Sequence, residues 1–508
     1  MILKKLIIVL IIFLIPSIGL CISVIPGVDC YGCDATFGRF SQSVVKVTSL
    51  ADDGGGALTT FREAVATANS GNYVIVFEVG GTINLATTVI ISGDNITIAG
   101  QTAPYPGIEF MTDTEEDPLL YITGSGVLMQ HISIRPGDGV CDGNNTQGNL
   151  DALSIEDTAG AVSNVILDHV TMLWAGDETM SVWNSDNTIT NISIIDSIMM
   201  ATLQGSCHND GGGYENHPFG PLFTGPAAVG TVPTNILLLR NIFGLGEDRW
   251  PKLITNQTIL ANNIVYGYTS RGMYFEGKDG LDGVTQLYSV VSNIFIQETY
   301  TPEVTRPIRH ATISNGTGDD QFDNGSEIYL DDNDCTDWDG GCTVTEGGGG
   351  DPIDNGVSDP VTWPTSLSGY ILPQAEVRAY VLANAGSRPI ERDTINTDII
   401  TLVTNETGVL VDCVDCDVTE DCTANERPYK CCTGNGTGTC VAAYETRPVE
   451  TPTERELTVP ANPNDNSGNG YSNLEVWLQG YSDAVVPSDQ AEPTIIKKIM
   501  NYFRRLRG

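Results

Sequence analysis

Charged groups are scarce or crowded in telling places along this chain, and those places are where its chemistry should be sought. Asp168, Asp177 and Glu178 fall in one short stretch. Facing carboxylates of that kind do the acid and base work of glycoside hydrolysis, which makes the trio one candidate site. Lys and Arg total 25 against 64 Asp and Glu, a formal net charge of −39. In so acidic a chain the cations Arg249 and Lys252, on either side of Trp250, stand out. The same imbalance excludes nucleic acid as a partner, because backbone binding needs clustered cations to release counterions. Thirteen cysteines form the third group. Zinc would want thiolates with histidine partners, and the five histidines lie away from the cysteine clusters. Disulfides are the better reading.

The N-terminus gives the compartment. Lys4 and Lys5 precede an apolar run from Leu6 to Ile15, then Pro16, Ser17 and Gly19. This pattern predicts a secretory signal peptide cleaved after Cys21; the alternative is an uncleaved anchor extended to Ile25. Loss of Cys21 leaves an even number of cysteines, as pairing requires. Glycosylation sequons at Asn95, Asn144, Asn191, Asn256, Asn315, Asn324, Asn405 and Asn435 agree with a secreted protein that keeps no membrane span.

The elements that must position these groups repeat a short theme between about Tyr73 and Ile296. Val127-Leu-Met-Gln-His-Ile-Ser-Ile, Val165-Ile-Leu-Asp-His-Val-Thr-Met, Ile192-Ser-Ile-Ile-Asp-Ser-Ile-Met and Ile236-Leu-Leu-Leu-Arg-Asn-Ile-Phe are instances. Each reads as two short strands with period-2 alternation, recurring roughly every 20–45 residues. Units that cannot bury a face alone must stack. The fold expected is all-β, a right-handed parallel β-helix. His131, His169, Ser197, Asn241, Asn263 and Asn293 precede the second strand of each unit, and we expect them to stack as a structural ladder. A helix from about Thr59 to Ala68, capped by Thr59 or Thr60 with Glu63 in its first turn, would plug the open end. Another helix is expected near Glu376 to Ala385. Lys497, Lys498, Arg504, Arg505 and Arg507 lie on a short terminal helix expected to be solvated.

Several stretches resemble the pectate lyase superfamily, in particular bacterial-type polysaccharide lyase family 1. They include Val76-Phe-Glu-Val-Gly-Gly-Thr-Ile-Asn-Leu, Thr97-Ile-Ala-Gly-Gln-Thr-Ala-Pro-Tyr-Pro-Gly-Ile, Ile134-Arg-Pro-Gly-Asp and Asp151-Ala-Leu-Ser-Ile. They continue with Ile166-Leu-Asp-His-Val-Thr-Met-Leu-Trp-Ala-Gly-Asp-Glu, Tyr380-Val-Leu-Ala-Asn-Ala-Gly-Ser-Arg-Pro and Gly470-Tyr-Ser-Asn-Leu-Glu-Val-Trp-Leu. The resemblance covers about 45–400 and a piece around 465–480.

That resemblance implies β-elimination on pectate, polygalacturonate or a related uronate polysaccharide, with Ca2+ on the substrate carboxylate and an arginine as base. Asp151 and Asp177 match calcium-binding aspartates of the family. The usual carboxylate four residues after Asp177 is Ser181 here, and Asn149 stands where some members carry Asp; Glu178 would compensate, since calcium accepts 6–8 oxygens. Arg249 matches the family's Arg-x-Pro element and is the expected base. Family members carry a second Arg three residues after that Pro; here it is Ile254, so Lys252 takes the cationic role. The segment from His208 to Leu222 replaces one where relatives present a substrate-binding Lys. His217, Arg240 and Trp250 are therefore expected to bind sugar, with Trp174 a further ring either for sugar or for the core. Charges beyond a Debye length of about 8 Å are largely screened, so local cations would offset the protein's net charge toward a polyanion. The rival to catalysis is a glycan-binding β-helix whose catalytic set has decayed.

The organisation expected is a signal peptide at 1–21, a segment with a Cys pair at 22–44, and the catalytic β-helix at 45–345. A return segment at 346–411, a cysteine-rich insert at 412–445 and a tail at 446–508 complete a chain expected to act as a monomer.

Overall fold

A computed structural model describes the chain from 23 to 487. Within that span it leaves out 26–27, 54–58, 115–116, 138–148, 186, 205, 207, 209–216, 226–230, 278–283, 297–305, 311–324, 336–341, 343–344, 347–358, 409, 412–439, 442–449 and 469. The signal peptide, most of the cysteine cluster, the basic terminal stretch and the sequons at Asn144, Asn315, Asn324 and Asn435 lie outside the described residues.

Short strands wind through three sheets in fixed rotation, which is a parallel β-helix. Sheet A has ten strands, all paired in parallel, from Ser43–Val47 and Tyr73–Phe77 through Val127–Gln130, Val162–Asp168, Ile189–Ile195, Thr234–Leu239 and Gln257–Ala261 to Glu327–Asp331. Sheet B follows eight of the ten A strands with one such as Ile132–Ile134, Thr171–Leu173, Ile198–Met200 or Ile242–Gly246. It is closed at one edge by the antiparallel Thr453–Glu454. Sheet C completes each coil, with Leu120–Ile122, Leu153–Glu156, Met180–Trp183, Leu222–Thr224, Lys252–Leu253 and Arg271–Phe275 among its nine strands. The register partners Ile192, Ile236 and Thr258 show that one coil takes 44 residues and the next only 22.

Alternation sends every second side chain inward. Ile155, Val182, Phe223, Leu253 and Met273 join Ile75, Ile98, Met129, Leu167 and Ile194 in one continuous core. Helix α1 (Phe61–Ala68) stoppers its N-terminal end, with Phe61 4.4 Å from Phe110 between ring centroids. Thr60 caps it by accepting the Glu63 backbone N–H, and the Glu63 carboxylate accepts the Thr60 backbone N–H in return.

The outer faces are treated unequally. Sheet A is covered by the N-terminal segment, where Cys30, bonded to Cys33, packs with Phe37 against Leu128, Ile166 and Ile195. Helices α2 (Gln374–Asn384) and α3 (Thr394–Asn405) cover sheet B, setting Val377, Val381 and Ile399 on Leu173, Ile198 and Leu245. Helix α4 (Asn473–Val485) lays Leu474 and Leu478 on Val74 and Val76 of sheet A. A second disulfide joins Cys335 and Cys342. No such apolar cover packs on the outside of sheet C among the described residues, and its outward column reads Tyr121, Ser154, Ser181, Leu222, Lys252, Tyr274.

The expected ladder exists, with a change of register. Ser197, Asn241, Asn263, Asn293 and Asn333 stack at the corner between sheets A and B. Each Asn Oδ1 accepts the backbone N–H of the preceding rung at 2.9 Å, while each Nδ2 of Asn241, Asn263 and Asn293 donates to a carbonyl of the preceding coil at 2.9 Å. His131 and His169 are not in that stack. They occupy the residue before it, a bend with left-handed backbone shared with Asp196, Arg240, Asn262 and Ser292, at φ from 47° to 59°.

Candidate active site

At the corner where sheet B gives way to sheet C, three successive coils are tied by bridges between Glu178, Phe219 and Asp248. Asp151 belongs to the same column one coil earlier, since Leu153 pairs with Met180. Asp151 ends the approach to one sheet C strand, while Asp177 and Glu178 end the approach to the next; Ala152 and Leu153, which follow Asp151, both enter the core.

The three carboxylates converge. Asp151, Asp177 and Glu178 each offer an oxygen within 4.8 Å of the others. Asp151 Oδ1 accepts the Glu178 backbone N–H at 3.0 Å, and its Oδ2 accepts a hydrogen bond from the Ser181 hydroxyl. Burial, and then the neighbouring Asp177, push the Asp151 carboxyl well above the usual carboxylate range.

Arg249 approaches from two coils away. Its backbone is left-handed at φ 66°, and its N–H donates to Asp248 Oδ1 at 2.7 Å. Asp248 is fixed in turn by Arg271, whose Nε lies 2.7 Å from Oδ2. From that anchor the Arg249 side chain crosses the Phe219 ring, with its guanidinium carbon 4.2 Å from the ring centroid, and pairs with Glu178. Burial lowers its pKa to about 10, outweighing the carboxylates that favour the charged form. Lys252 stands on the outward face of sheet C, paired with Glu276 and 5.6 Å from the Tyr274 ring centroid.

His217 enters the same cluster through Nε2, 2.9 Å from Asp177 Oδ1 and 3.7 Å from Glu178 Oε1. His208 Nδ1 lies 3.6 Å from Asp177 Oδ2. The two imidazoles are 4.0 Å apart, and Phe219 backs His217 at 3.8 Å. The structure thus unites Asp151, Asp177, Glu178, Arg249 and His217, with Lys252 on the adjoining face.

Three expectations need correction, and Trp174 takes the core side of its two readings. Trp250 is fully buried in the core, since its neighbour Arg249 takes the outward place, so it presents no ring to sugar. Trp174 is likewise fully buried beneath α2 and α3 with Leu173 and Leu245. Arg240 lies at the corner between sheets A and B, 2.8 Å from Asp196 Oδ2 and 5.1 Å from the Tyr380 ring, and is 4% exposed. Asp168 shares that corner, bound to His169 Nδ1 at 2.7 Å, so it cannot face Asp177 and Glu178 as an acid–base partner.

Sequence reasoning also missed residues. Phe219, which carries the Arg249 side chain, gave no signal beyond its place in a loop. Trp183 was legible: Met180-Ser-Val-Trp alternates, Met180 and Val182 are core, and Trp183 therefore faces out beside Ser181, half-buried.

No protein-family model matches the chain. It is similar along nearly its whole length to curated fungal proteins named probable pectate lyase C. With that of Aspergillus flavus it shares 27% identity over 94% of this chain and 100% of the other. For the Aspergillus oryzae protein the identity is 28% over the same shares, and for that of Emericella nidulans 28% over 92% and 93%. Solved structures that it resembles include jun a 1, the major allergen from cedar pollen, at TM-score 0.46 and 15% identity over 71% of this chain and 92% of that one. A thermostable pectate lyase gives TM-score 0.44 at 15% identity over 72% and 99%. The resemblance to pectate lyases read from sequence motifs therefore extends across the chain.

Proposed function

We propose that the protein is a secreted, calcium-dependent lyase that cleaves pectate or a related uronate polysaccharide by β-elimination on the open face of sheet C. The observation that carries this reading is the pairing of a three-carboxylate cluster with a partly buried arginine drawn across Phe219 to Glu178. The names of the relatives point the same way.

The carboxylates suit a hard divalent cation. Asp151, Asp177 and Glu178 supply oxygen, and the Asp151 carboxyl is raised first by burial and then by the charge of Asp177 beside it. These residues would hold calcium, which supplies Lewis acidity toward a uronate carboxylate and so acidifies the adjacent C5 proton. Elimination then needs a base for that proton, while the C5–H electrons form the C4–C5 double bond and the glycosidic oxygen leaves C4.

Arg249 is our candidate for that base. A guanidinium in water is an unsuitable one, yet burial has brought this group to about 10, within reach of alkaline solution. Its pairing with Glu178 holds it beside the carboxylates, and Phe219 fixes its direction. Lys252 and His217 are proposed to meet substrate carboxylates along the same face. Trp183 takes the platform role that Trp250 cannot.

Ultraviolet absorbance during incubation with polygalacturonate in alkaline buffer tests the reading directly. Absorbance that grows with calcium, stops with chelator and is lost in Arg249→Ala supports it. A flat trace on polygalacturonate and on a panel of other uronate polymers, from folded protein, overturns it.

A further inference from the structure

His208, His217 and Asp177 do more than line the carboxylate cluster. We propose that they form a transition-metal site overlapping the carboxylate cluster at Asp177, a two-histidine, one-carboxylate set for a borderline divalent ion such as Zn2+. Imidazole nitrogens suit zinc, cobalt and nickel, whereas calcium takes oxygen. The ligand atoms already converge: His217 Nε2 is 2.9 Å from Asp177 Oδ1, His208 Nδ1 is 3.6 Å from Asp177 Oδ2, and all three residues offer atoms within 4.8 Å of one another. Bonds of about 2.1 Å at tetrahedral angles set neighbouring ligand atoms about 3.4 Å apart, so little movement is required.

The surroundings favour the same assignment. His208 and His217 bring two of the chain's five imidazoles to one carboxylate. Phe219 packs on the His217 ring and limits its orientations. Ser206, two residues before His208, is 2% exposed, and its hydroxyl has no hydrogen-bond partner among the described residues. Its Cβ lies 3.7 Å from where a Cβ on Gly176, the residue preceding Asp177, would sit. Three protein ligands leave a fourth position for water or a substrate oxygen.

Asp177 belongs to both sets, so a transition metal and calcium compete for it. The proposal does not need the lyase reading, because metal binding is measured without turnover. The test titrates calcium-free protein with Co2+, reading its visible absorption bands, and with Zn2+ by calorimetry. The same titrations are run on His208→Gln, His217→Gln and Asp151→Asn, with circular dichroism confirming the fold of each. We expect one equivalent bound, weakened at least about 100-fold by either histidine substitution and by less than tenfold in Asp151→Asn, and Co2+ bands that fade as calcium is added. Absence of stoichiometric binding, or binding indifferent to both histidine substitutions, overturns the proposal. Failure of these titrations leaves calcium-dependent elimination standing, and failure of elimination leaves the titrations interpretable.

Discussion

Replacing Arg249 by lysine should move the alkaline limb of the activity profile. With the guanidinium near 10, its neutral fraction is about 0.1% at pH 7, 1% at pH 8 and 10% at pH 9. If that form takes the proton, kcat/KM climbs about tenfold per pH unit and levels near pH 10. Lysine starts from about 10.4, below arginine, and the same burial would lower it further. Its profile should therefore level at lower pH than the parent's. Its ceiling should fall as well, since an ammonium cannot both lie flat on Phe219 and pair with Glu178 as the planar guanidinium does. Arg249→Ala should lose about 10²–10⁴ of the rate, the usual contribution of a positioned base. The assay is the initial rate of ultraviolet absorbance on polygalacturonate from pH 7 to about 10.5, at fixed ionic strength and excess calcium, with circular dichroism at each pH. A lysine variant with the parent's inflection, or an alanine variant keeping a tenth of the parent's rate, refutes the assignment.

Three other outcomes follow from the geometry. Because burial and Asp177 raise the Asp151 carboxyl, its ionised form costs stability as pH rises through the folded value; Asp151→Asn should melt higher than the parent in chelator at pH 8, and calcium should no longer raise its Tm. Asp168 is held at about 2, where burial is outweighed by His169, His131 and the hydrogen bonds from His169 and Gln130. Its contribution, about 2 kcal/mol, is complete above about pH 4 and lost as pH falls to about 2, so acid denaturation of Asp168→Asn should be shallower across that window. Asn263→Ala strips an acceptor from the Asn241 N–H and a donor from the Leu238 carbonyl, and should cost about 2–4 kcal/mol by equilibrium denaturation. A midpoint unchanged from the parent would show that the ladder contributes nothing net.

The strands were legible because burial on both faces still leaves alternation at the corners: Ile192-Ser-Ile-Ile-Asp-Ser-Ile-Met became Ile189–Ile195 and Ile198–Met200. Helix α1 showed through Thr60 and Glu63. Helix α3 was hidden, since Thr394-Ile-Asn-Thr-Asp-Ile-Ile-Thr is β-branched and polar and becomes helical through the Asp393 cap and its seat on sheet B. Helix α4 announced itself with Ser472 and Glu475, a signal passed over. At the site, motif resemblance drew attention to Asp151, Asp177 and Arg249, which the structure does bring together. It misjudged Arg240, because a polar residue after a strand reveals nothing of which corner it occupies when coils range from 22 to 44 residues. The histidines slipped one place for a related reason: Val170 follows His169 where Ser197 follows Asp196, and only pairing register separates bend from ladder.

That freedom in coil length has an evolutionary side. The 44-residue coil spends its surplus between Met200 and Leu222, the stretch that delivers His208, His217 and Phe219 to the carboxylates. The spine of asparagines beneath sheets A and B is untouched by that detour, with Asn241 following Ser197 as though no residues intervened. Specificity and stability are thereby written in separate registers of the same turn. A change of length or composition in that loop would leave the asparagine spine and its scaffold unaltered.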